Sequence, residues 1–521
     1  MPSIISKIKL INFKRFRNYT VIPNSHMNIL VGDNEVGKSS ILEAIDIVAC
    51  GSVKRVDAIG VDKLLNIEAV QQFNSGVRTF DNLPIMAVEL YLNGSFDHTM
   101  NGKNNSSGIK CDGIRMICEP NIDYQSEITN SLNECVDYFP YDYYNIRFST
   151  FADEGYTGYK KKFRSVFIDS TNMNSSHATN DFIRRMYLQY TESNEKERTN
   201  HKSKYRQMKN KFCTNNLIDI NSRVPADKNY TFGLKLGSSS SFENDLMIYE
   251  NEVGIDSKGT GQQVFIKTDF ALEHSGTNVD VILVEEPENH LSHINLRKLI
   301  KKIADTQTGQ LFITTHNSLI STRLELKNIL ILSENCVEKP IMLKDLTEDT
   351  AKYFMKAPPA NVIEFVLSHK AILVEGPSEY MLFEKFYELI TNNKPEMDNI
   401  QIIDVRGLSF KRYLEIACLT LSKVAVVTDN DGDKQRYCLD KYCDYVDCDN
   451  IKIFYESDNS KRTFEVVLYN DNKDLCDKLF GADAQSYMLH NKTETAYSLL
   501  SEDVNINVPQ YIEEAIEWIK K

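Results

Sequence analysis

The sequence is most informative first in what it lacks. None of its apolar runs is long enough to cross a bilayer as a helix. The opening MPSIISKIKLINF alternates like a strand and has neither the apolar core nor the cleavage site of a signal peptide. These two absences set the expectation of a cytoplasmic protein with no membrane partner. There is no disulfide framework: the 11 cysteines are scattered and odd in number, as reduced thiols are. Cys438, Cys443 and Cys448 recur at a fixed interval but lack CxxC spacing and a fourth ligand, which argues against zinc. Positive charge is also short. A net charge of −13 excludes a globally basic nucleic-acid coat, though not a local basic groove. No Ser/His/Asp hydrolase pattern is present, and no long coiled-coil arms fit the chain.

What is present is an ordinary globular composition, 42% apolar and 26% charged, over 521 residues. That length exceeds one hydrophobic core and predicts two to four domains. The organising stretch is Gly32-Asp33-Asn34-Glu35-Val36-Gly37-Lys38-Ser39, a complete G-x4-G-K-[ST] pattern. The apolar run Met27 to Val31 precedes it as a strand, and Ser40 to Val48 follows as a helix. In that context the loop's N–H groups close around phosphate at a helix N-terminus. Lys38 would reach the β- and γ-phosphates and the Ser39 hydroxyl would hold Mg2+.

Further along, Ile4 to Phe16, Ile85 to Leu92 and Ile114 to Glu119 read as strands, and the polar tract Asn101 to Gly108 as a loop tip. Asp181 to Lys211 has helical composition, and its second half is strongly basic. Two readings of that helix stand: a solvated or dimer-forming face, and a surface for DNA phosphates. Strands are expected at Tyr230 to Leu236 and Leu246 to Tyr249, with a turn at Ser238 to Ser241. Ser257-Lys258-Gly259-Thr260-Gly261-Gln262 then opens a helical pattern, a second anion site by the same logic. Val279 to Val284 reads as a buried parallel strand ending in Glu285-Glu286-Pro287. Glu285 would hold the metal through its water shell, and Glu286 would polarise the attacking water. Leu311 to Thr314 is another such strand and ends at Thr315-His316, where His316 could sense the γ-phosphate.

The second half repeats the theme without a phosphate loop. Ala371 to Val374 ends in Glu375-Gly376-Pro377-Ser378-Glu379, so Glu375 and Glu379 sit near enough to share an ion. Ile402 to Val405 is a further strand. Val424 to Val427 ends in Thr428-Asp429-Asn430-Asp431-Gly432-Asp433. Carboxylates at the ends of two parallel strands meet at one sheet edge, and an all-oxygen set suits Mg2+ or Mn2+. The same letters are not an EF-hand, because the glycine stands at the fourth position and no helix precedes.

The ordered set Asn12-Phe13-Lys14, the phosphate loop, Ser257 to Gln262, Glu285-Glu286-Pro287 and Thr315-His316 resembles an ABC-type ATPase of the RecF/SMC/Rad50 branch. The resemblance implies that ATP is bound by Asn34, Gly37, Lys38, Ser39 and Ser40, and that Ser257, Gly259 and Gly261 are lent to the nucleotide of a second copy. The Q-loop glutamine has two candidates, Gln71 and Gln72. The later order Glu-Gly-x-x-Glu then Asp-x-Asp resembles a Toprim domain. An ABC-type head followed by Toprim resembles the OLD (overcoming lysogenization defect) nucleases, including Gabija-type and retron-associated antiphage effectors. The implied fold class is α/β, with an ATPase domain carrying a helical insertion ahead of a C-terminal Toprim domain. The implied divisions are 1–150 and 224–345 for the two ATPase lobes, 151–223 for the insertion, 346–364 for a linker and 365–521 for Toprim. Carried over by motif, Glu375, Glu379, Asp429 and Asp431 are metal ligands and Glu465 is a further one. Lys492 stabilises charge on the scissile phosphate, and Glu286, His316, Glu375, Asp431 and Lys492 form the catalytic set.

The resemblance implies an ATP-regulated, Mg2+- or Mn2+-dependent DNA endonuclease that assembles as a homo-oligomer, with a partner protein or retron RNA–DNA element alongside. A rival reading is an ATP-switched DNA-binding or assembly protein whose Toprim unit does not cut. A strand-passing enzyme would want a tyrosine nucleophile, and the spacing of the 26 tyrosines identifies none.

Overall fold

The computed structural model describes residues 4–94, 98–134, 138–157, 163–169, 183–184, 186–187, 190–191, 194–225, 228, 230–235, 242–273, 280–289, 291–305, 309–317, 324, 326–333, 338–356, 362–407, 409–501 and 506–521. They form two compact units, one within residues 162–311 and one joining residues 4–161 to 312–521.

In the larger unit, Ile4–Phe13 begins an antiparallel sheet because its apolar residues alternate, with Ile5, Ile8, Leu10 and Phe13 buried. Phe16–Val21 pairs on one side of it and Met86–Asn93 on the other. Cys111–Pro120 follows, flanked by Asn101–Gly102 and Tyr144–Thr150. The register runs Leu10↔Val88 and Val88↔Met116, which stacks one apolar row across three strands. Helix Lys38–Cys50 contacts this sheet and also strand Met27–Gly32. Its buried residues Ile41, Leu42, Ala44, Ile45, Ile47, Val48 and Ala49 occupy more than one stripe, as a helix covered on both sides requires. Met27–Gly32 pairs in parallel with Ile329–Leu332, and Ile341–Met342 lies antiparallel at that edge.

The tract Asn101 to Gly108 is more than a loop tip. Ser106 donates from its N (2.7 Å) and Oγ (2.7 Å) to the buried Glu89 carboxylate, so the tract satisfies a charge inside the sheet.

The expected linker 346–364 also has structure. It contains helix Glu348–Lys356 and the start of Val362–Leu367. The first is docked on helix Phe410–Thr420: Thr347 Oγ1 donates to Glu415 (3.0 Å) and Tyr353 Oη meets Ser409 Oγ (2.7 Å).

Residues 370 onward form a parallel four-stranded sheet in the order Ile400–Asp404, Lys370–Val374, Lys423–Val427, Ile451–Phe454. Helices Pro377–Thr391 and Gln510–Lys520 share its core, which includes Ile372, Val374, Ala425, Phe383, Phe386, Ile512 and Ile516. Trp518 lies against Phe454 and under the Lys423 ammonium, which closes the C-terminal helix onto the sheet.

In the smaller unit, Ser165–Asp169 and Val281–Glu285 pair in parallel, and helix Thr260–Glu273 lies against both. The basic helix runs over Glu195–Asn216, capped by the Asn194 side chain, and buries none of its residues. Lys202 pairs with the buried Glu243 at 2.8 Å.

Two strand expectations fail. Tyr230 to Lys235 has no regular structure, because Asn221 Oδ1 accepts from Phe232 N (2.7 Å) and its Nδ2 donates to Phe232 O (3.0 Å), replacing a neighbouring strand. Of Leu246 to Tyr249, only Tyr249 enters a strand, the two-residue Tyr249–Glu250, while Leu246, Met247 and Ile248 pack against Ile183 and Ile255. The expected Ser238 to Ser241 turn lies outside the described residues.

Candidate functional site

The phosphate loop leaves strand Met27–Gly32 and enters helix Lys38–Cys50 through Gly37, at φ 99°. A Cβ there would stand 2.5 Å from Phe16 Cζ, so conformation and space both demand glycine. Lys38 is buried, and its ammonium donates to Gly32 O (2.8 Å) and Asp33 O (2.7 Å). Asn34 and Ser39 are exposed at the loop, and Ser40 is half-buried. On the neighbouring strand Gln310–Thr314, Thr315 N donates to Leu30 O (3.2 Å), which brings exposed His316 alongside the strand that feeds the loop. Gln71 and Gln72 both lie on helix Ile67–Ser75, where Gln72 accepts from Arg17 (2.6 Å).

The smaller unit carries the other residues that the ATPase resemblance leads one to expect at the site. Glu285 ends strand Val281–Glu285 and is buried. Glu286 follows at φ 39°, with its carboxylate accepting from Asn289 Nδ2 (2.7 Å). Ser257, Gly259 and Gly261 span a short turn that opens helix Thr260–Glu273 at its second position.

The second candidate centre stands at the C-terminal ends of two adjacent parallel strands, Lys370–Val374 and Lys423–Val427. Glu375 leaves the first. Its Oε1 accepts from Thr428 Oγ1 (2.7 Å) and Asp429 N (3.0 Å), which ties the two strand ends together. Glu379 lies in the first turn of helix Pro377–Thr391, and burial raises its pKa, reinforced by the charges of Glu465 and Glu375. Burial likewise holds Asp429 well above the usual carboxylate range. Glu375, Glu379 and Glu465 add to this, and Lys492 partly offsets it. Glu465, in the first turn of helix Phe464–Asp471, is only 2% exposed. Its Oε1 pairs with Lys492 Nζ at 3.0 Å. Apart from that ion pair, neither buried oxygen has a hydrogen-bond partner. Burial lowers the Lys492 pKa, but the hydrogen bond and charge of Glu465 outweigh that and leave it raised.

Glu375, Glu379, Asp429, Glu465 and Lys492 therefore form one electrostatic group. Asp431 stands apart. It is exposed, at φ 48°, and its charge reaches Lys441 and Cys438 at the rim. Among the described residues no three His, Cys, Asp or Glu side chains are gathered closely enough to hold an ion as they stand. The carboxylates repel one another, and Glu375 is turned onto Thr428 and Asp429.

The residues nevertheless fit a hard divalent cation. All their donors are oxygens, the buried oxygens of Glu465 have no hydrogen-bond partner, and two carboxyls are driven toward protonation by burial first and then by neighbouring like charge. Glu375, Glu379, Asp429 and Glu465 would hold it.

Motif reading missed three neighbours of this group. Lys441 is pulled down by burial while Glu375 and Asp431 act against that shift. Tyr511 is buried, and its hydroxyl is pushed well up, by burial first and then by Asp429 and Glu379. Asn430, between the two aspartates, is 1% exposed. Only Asn430 had a visible signal, its place within Asp-x-Asp-Gly.

Two family models match the chain. "AAA ATPase domain" covers residues 4–89, and "Overcoming lysogenization defect protein-like, TOPRIM domain" covers residues 366–431. Comparison with curated proteins gave no match. Among solved structures, the chain is similar to the recombination mediator protein RecF-ATP in the RecFOR pathway, with 11% identity over 66% of this chain and 99% of that one, at TM-score 0.36. It is similar to the SMC head domain from Thermotoga maritima, with 14% identity over 63% and 93%, at TM-score 0.28. It is also similar to the C-terminal region of the Xanthomonas campestris pv. campestris OLD protein, with 19% identity over 29% and 92%, at TM-score 0.23. The chain thus carries an AAA ATPase domain ahead of an overcoming-lysogenization-defect-protein-like TOPRIM domain in a single mixed α/β chain.

Proposed function

We propose that the chain is an ATP-regulated, divalent-metal-dependent DNA endonuclease that acts as a homo-oligomeric antiphage effector in the cytoplasm. The observation that carries this reading is the carboxylate group at two adjacent parallel strand ends, with an unbonded buried Glu465 oxygen and a lysine beside it. Bound Mg2+ or Mn2+ would activate water and stabilise the leaving 3′-oxygen of a phosphodiester. Glu375, fixed by Thr428 and Asp429 N, and Glu379, fixed in the first helical turn, supply the rigid half of the ligand set. Asp429 and Glu465 complete it, and Asp431 meets the site from the rim. Lys492, restrained by Glu465, offers its ammonium to charge on the scissile phosphate.

In the head, Asn34, Gly37, Lys38, Ser39 and Ser40 would hold ATP, the Ser39 hydroxyl would take Mg2+ and His316 would sense the γ-phosphate. In the smaller unit, Glu285 would serve as a metal carboxylate and Glu286 would polarise water. Ser257, Gly259 and Gly261 serve the nucleotide of a second copy. ATP then acts on the nuclease by favouring one of two states of the head pair. The exposed cations of helix Glu195–Asn216 are a surface for DNA phosphates, and a partner protein or retron RNA–DNA element supplies the trigger.

The rival, a non-cutting ATP switch, is favoured by one observation: the carboxylates do not converge into a closed set. Supercoiled plasmid incubated with Mg2+ or Mn2+, with and without ATP, separates the two. Nicking or linearisation that disappears in Asp431→Ala, and that loses its ATP response in Lys38→Ala, is the expected result. Intact plasmid in every lane, with ATP hydrolysis retained, is the result expected of the switch, or of a nuclease still waiting for its trigger.

A further inference from the structure

The turn that carries Asp429 and Asp431 is joined to a second loop, Glu456 to Arg462, by one buried side chain. Asn430 Nδ2 donates to Glu456 O (2.8 Å) and Asp458 O (3.0 Å), and more weakly to Lys461 O (3.3 Å). Its Oδ1 accepts from Gly432 N (2.9 Å). The amide can face only this way, since reversing it would aim the oxygen at three carbonyls and the NH2 at an N–H. At 1% exposure it has no water to fall back on.

Other ties reinforce the seam. Asp431 N donates to Arg462 O (3.1 Å), and Lys434 N donates to Asn459 Oδ1 (3.1 Å). The two surfaces are also close-packed. Gly432 stands at φ 85°, and a Cβ there would lie 3.1 Å from Arg462 Cδ. The second loop is itself stiff, because Ser460 N and Oγ both donate to Asp458 Oδ1 (2.9 and 2.8 Å).

This loop runs directly into Thr463, Phe464 and Glu465. The anchored carbonyls of Lys461 and Arg462 lie only four and three positions before the carboxylate with the unbonded oxygen. The seam therefore fixes the separation between Asp429, with Asp431 beside it at the rim, on one segment and Glu465 on another.

We propose that Asn430 is a positioning residue for the cation centre. It holds the Glu456–Arg462 loop so that Glu465 meets Asp429 across the site. The inference rests on the carboxylate group being a cation centre, and it does not require that the centre cut DNA. Asparagine suits the role because it can donate to the loop and accept from Gly432 at once. Aspartate would add a further charge to the four carboxylates and present oxygen to carbonyl oxygen.

The test compares the full chain with Asn430→Ala and the milder Asn459→Ala. The readouts are Mn2+ affinity by calorimetry, hydrogen exchange over residues 456–462, and ATP hydrolysis as a check on folding. Supporting partners of metal ligands characteristically change affinity about 10–100-fold. Asn430→Ala is therefore expected to weaken Mn2+ binding by about that factor and to speed exchange in the loop, with ATP hydrolysis unchanged. Asn459→Ala, which removes one tie, should shift both in the same direction by less. If Asn430→Ala does not fold, the Asn459→Ala shifts decide the matter alone. In a cleavage assay the half-saturating Mn2+ concentration should rise, with the rate recovering at high Mn2+. Faster exchange with unaltered Mn2+ affinity would overturn the proposal, since the amide would then serve only the loop. A wild-type chain that binds no Mn2+ would overturn it as well. Wild-type protein that binds Mn2+ through an Asn430-dependent site yet leaves DNA intact would keep this inference and count against a nuclease that acts without a trigger.

Discussion

At the scale of single residues, the motif letters gave chemistry but not contacts. The G-x4-G-K-[ST] spacing was legible because each glycine answers a local need, and Gly37 shows it at φ 99° with Phe16 Cζ against the missing Cβ. Gly37→Ala is therefore expected to reduce ATP hydrolysis at least tenfold and to weaken nucleotide binding, since strain of about 1–2 kcal/mol adds to the clash. A fluorescent nucleotide titration checks this, and wild-type affinity in the variant would contradict the steric account. Glu375, Glu379 and Asp429 were legible for a similar reason, because each follows an apolar run at a fixed offset. Lys441 and Tyr511 were not, because each reaches the group through tertiary approach, whereas Asn430 was marked only by its place between the two aspartates. Tyr511 lies more than a hundred positions from Glu375, and no spacing rule connects them.

At the scale of elements, apolar runs that end in glycine or a carboxylate located the parallel strands well. Short continuous runs bounded by such residues have few other stable placements. Tyr230 to Leu236 failed because alternation alone does not supply a partner strand. Tyr230 and Phe232 are 58% and 56% exposed, and Asn221 takes the backbone bonds a neighbour would have made. The linker failed in the opposite sense. Prolines and mixed composition concealed helix Glu348–Lys356, whose N-terminal Thr347 caps Thr350 N (3.3 Å) while Glu415 accepts from both threonines. That carboxylate also sits at a helix N-terminus, where the dipole favours it. Glu415→Ala is expected to remove about 2 kcal/mol of docking. The thermal midpoint should fall by a few degrees in differential scanning calorimetry, while Glu415→Gln retains part of the loss. An unchanged midpoint in Glu415→Ala would mean the helix is held by Phe354 and Tyr413 alone.

At the scale of the molecule, the phosphate loop and the carboxylate group belong to one compact unit, and the Glu285-Glu286 pair and the Ser257 to Gly261 turn belong to the other. The ATPase motifs are thus divided between two bodies that the chain threads in turn, residues 4–161, then 162–311, then the rest. Interleaving of this kind is anticipated in the sequence reading, which sets ATPase lobes 1–150 and 224–345 on either side of an insertion at 151–223. Its physical basis is that a parallel strand and its neighbour in the sheet need not be neighbours in the chain, as Met27–Gly32 beside Ile329–Leu332 shows. The TOPRIM sheet is the simpler body, since its four strands and closing helix fall in one continuous stretch.

The central claim is that Glu375, Glu379, Asp429 and Glu465 form a divalent-cation centre. The most direct measurement is a calorimetric titration of the full chain with Mn2+ in the absence of nucleotide, beside Asp429→Asn and Glu465→Gln. Saturable binding in the wild-type chain, weakened at least tenfold in each variant, is the predicted result. Equal binding in all three chains, or none in any, would contradict it.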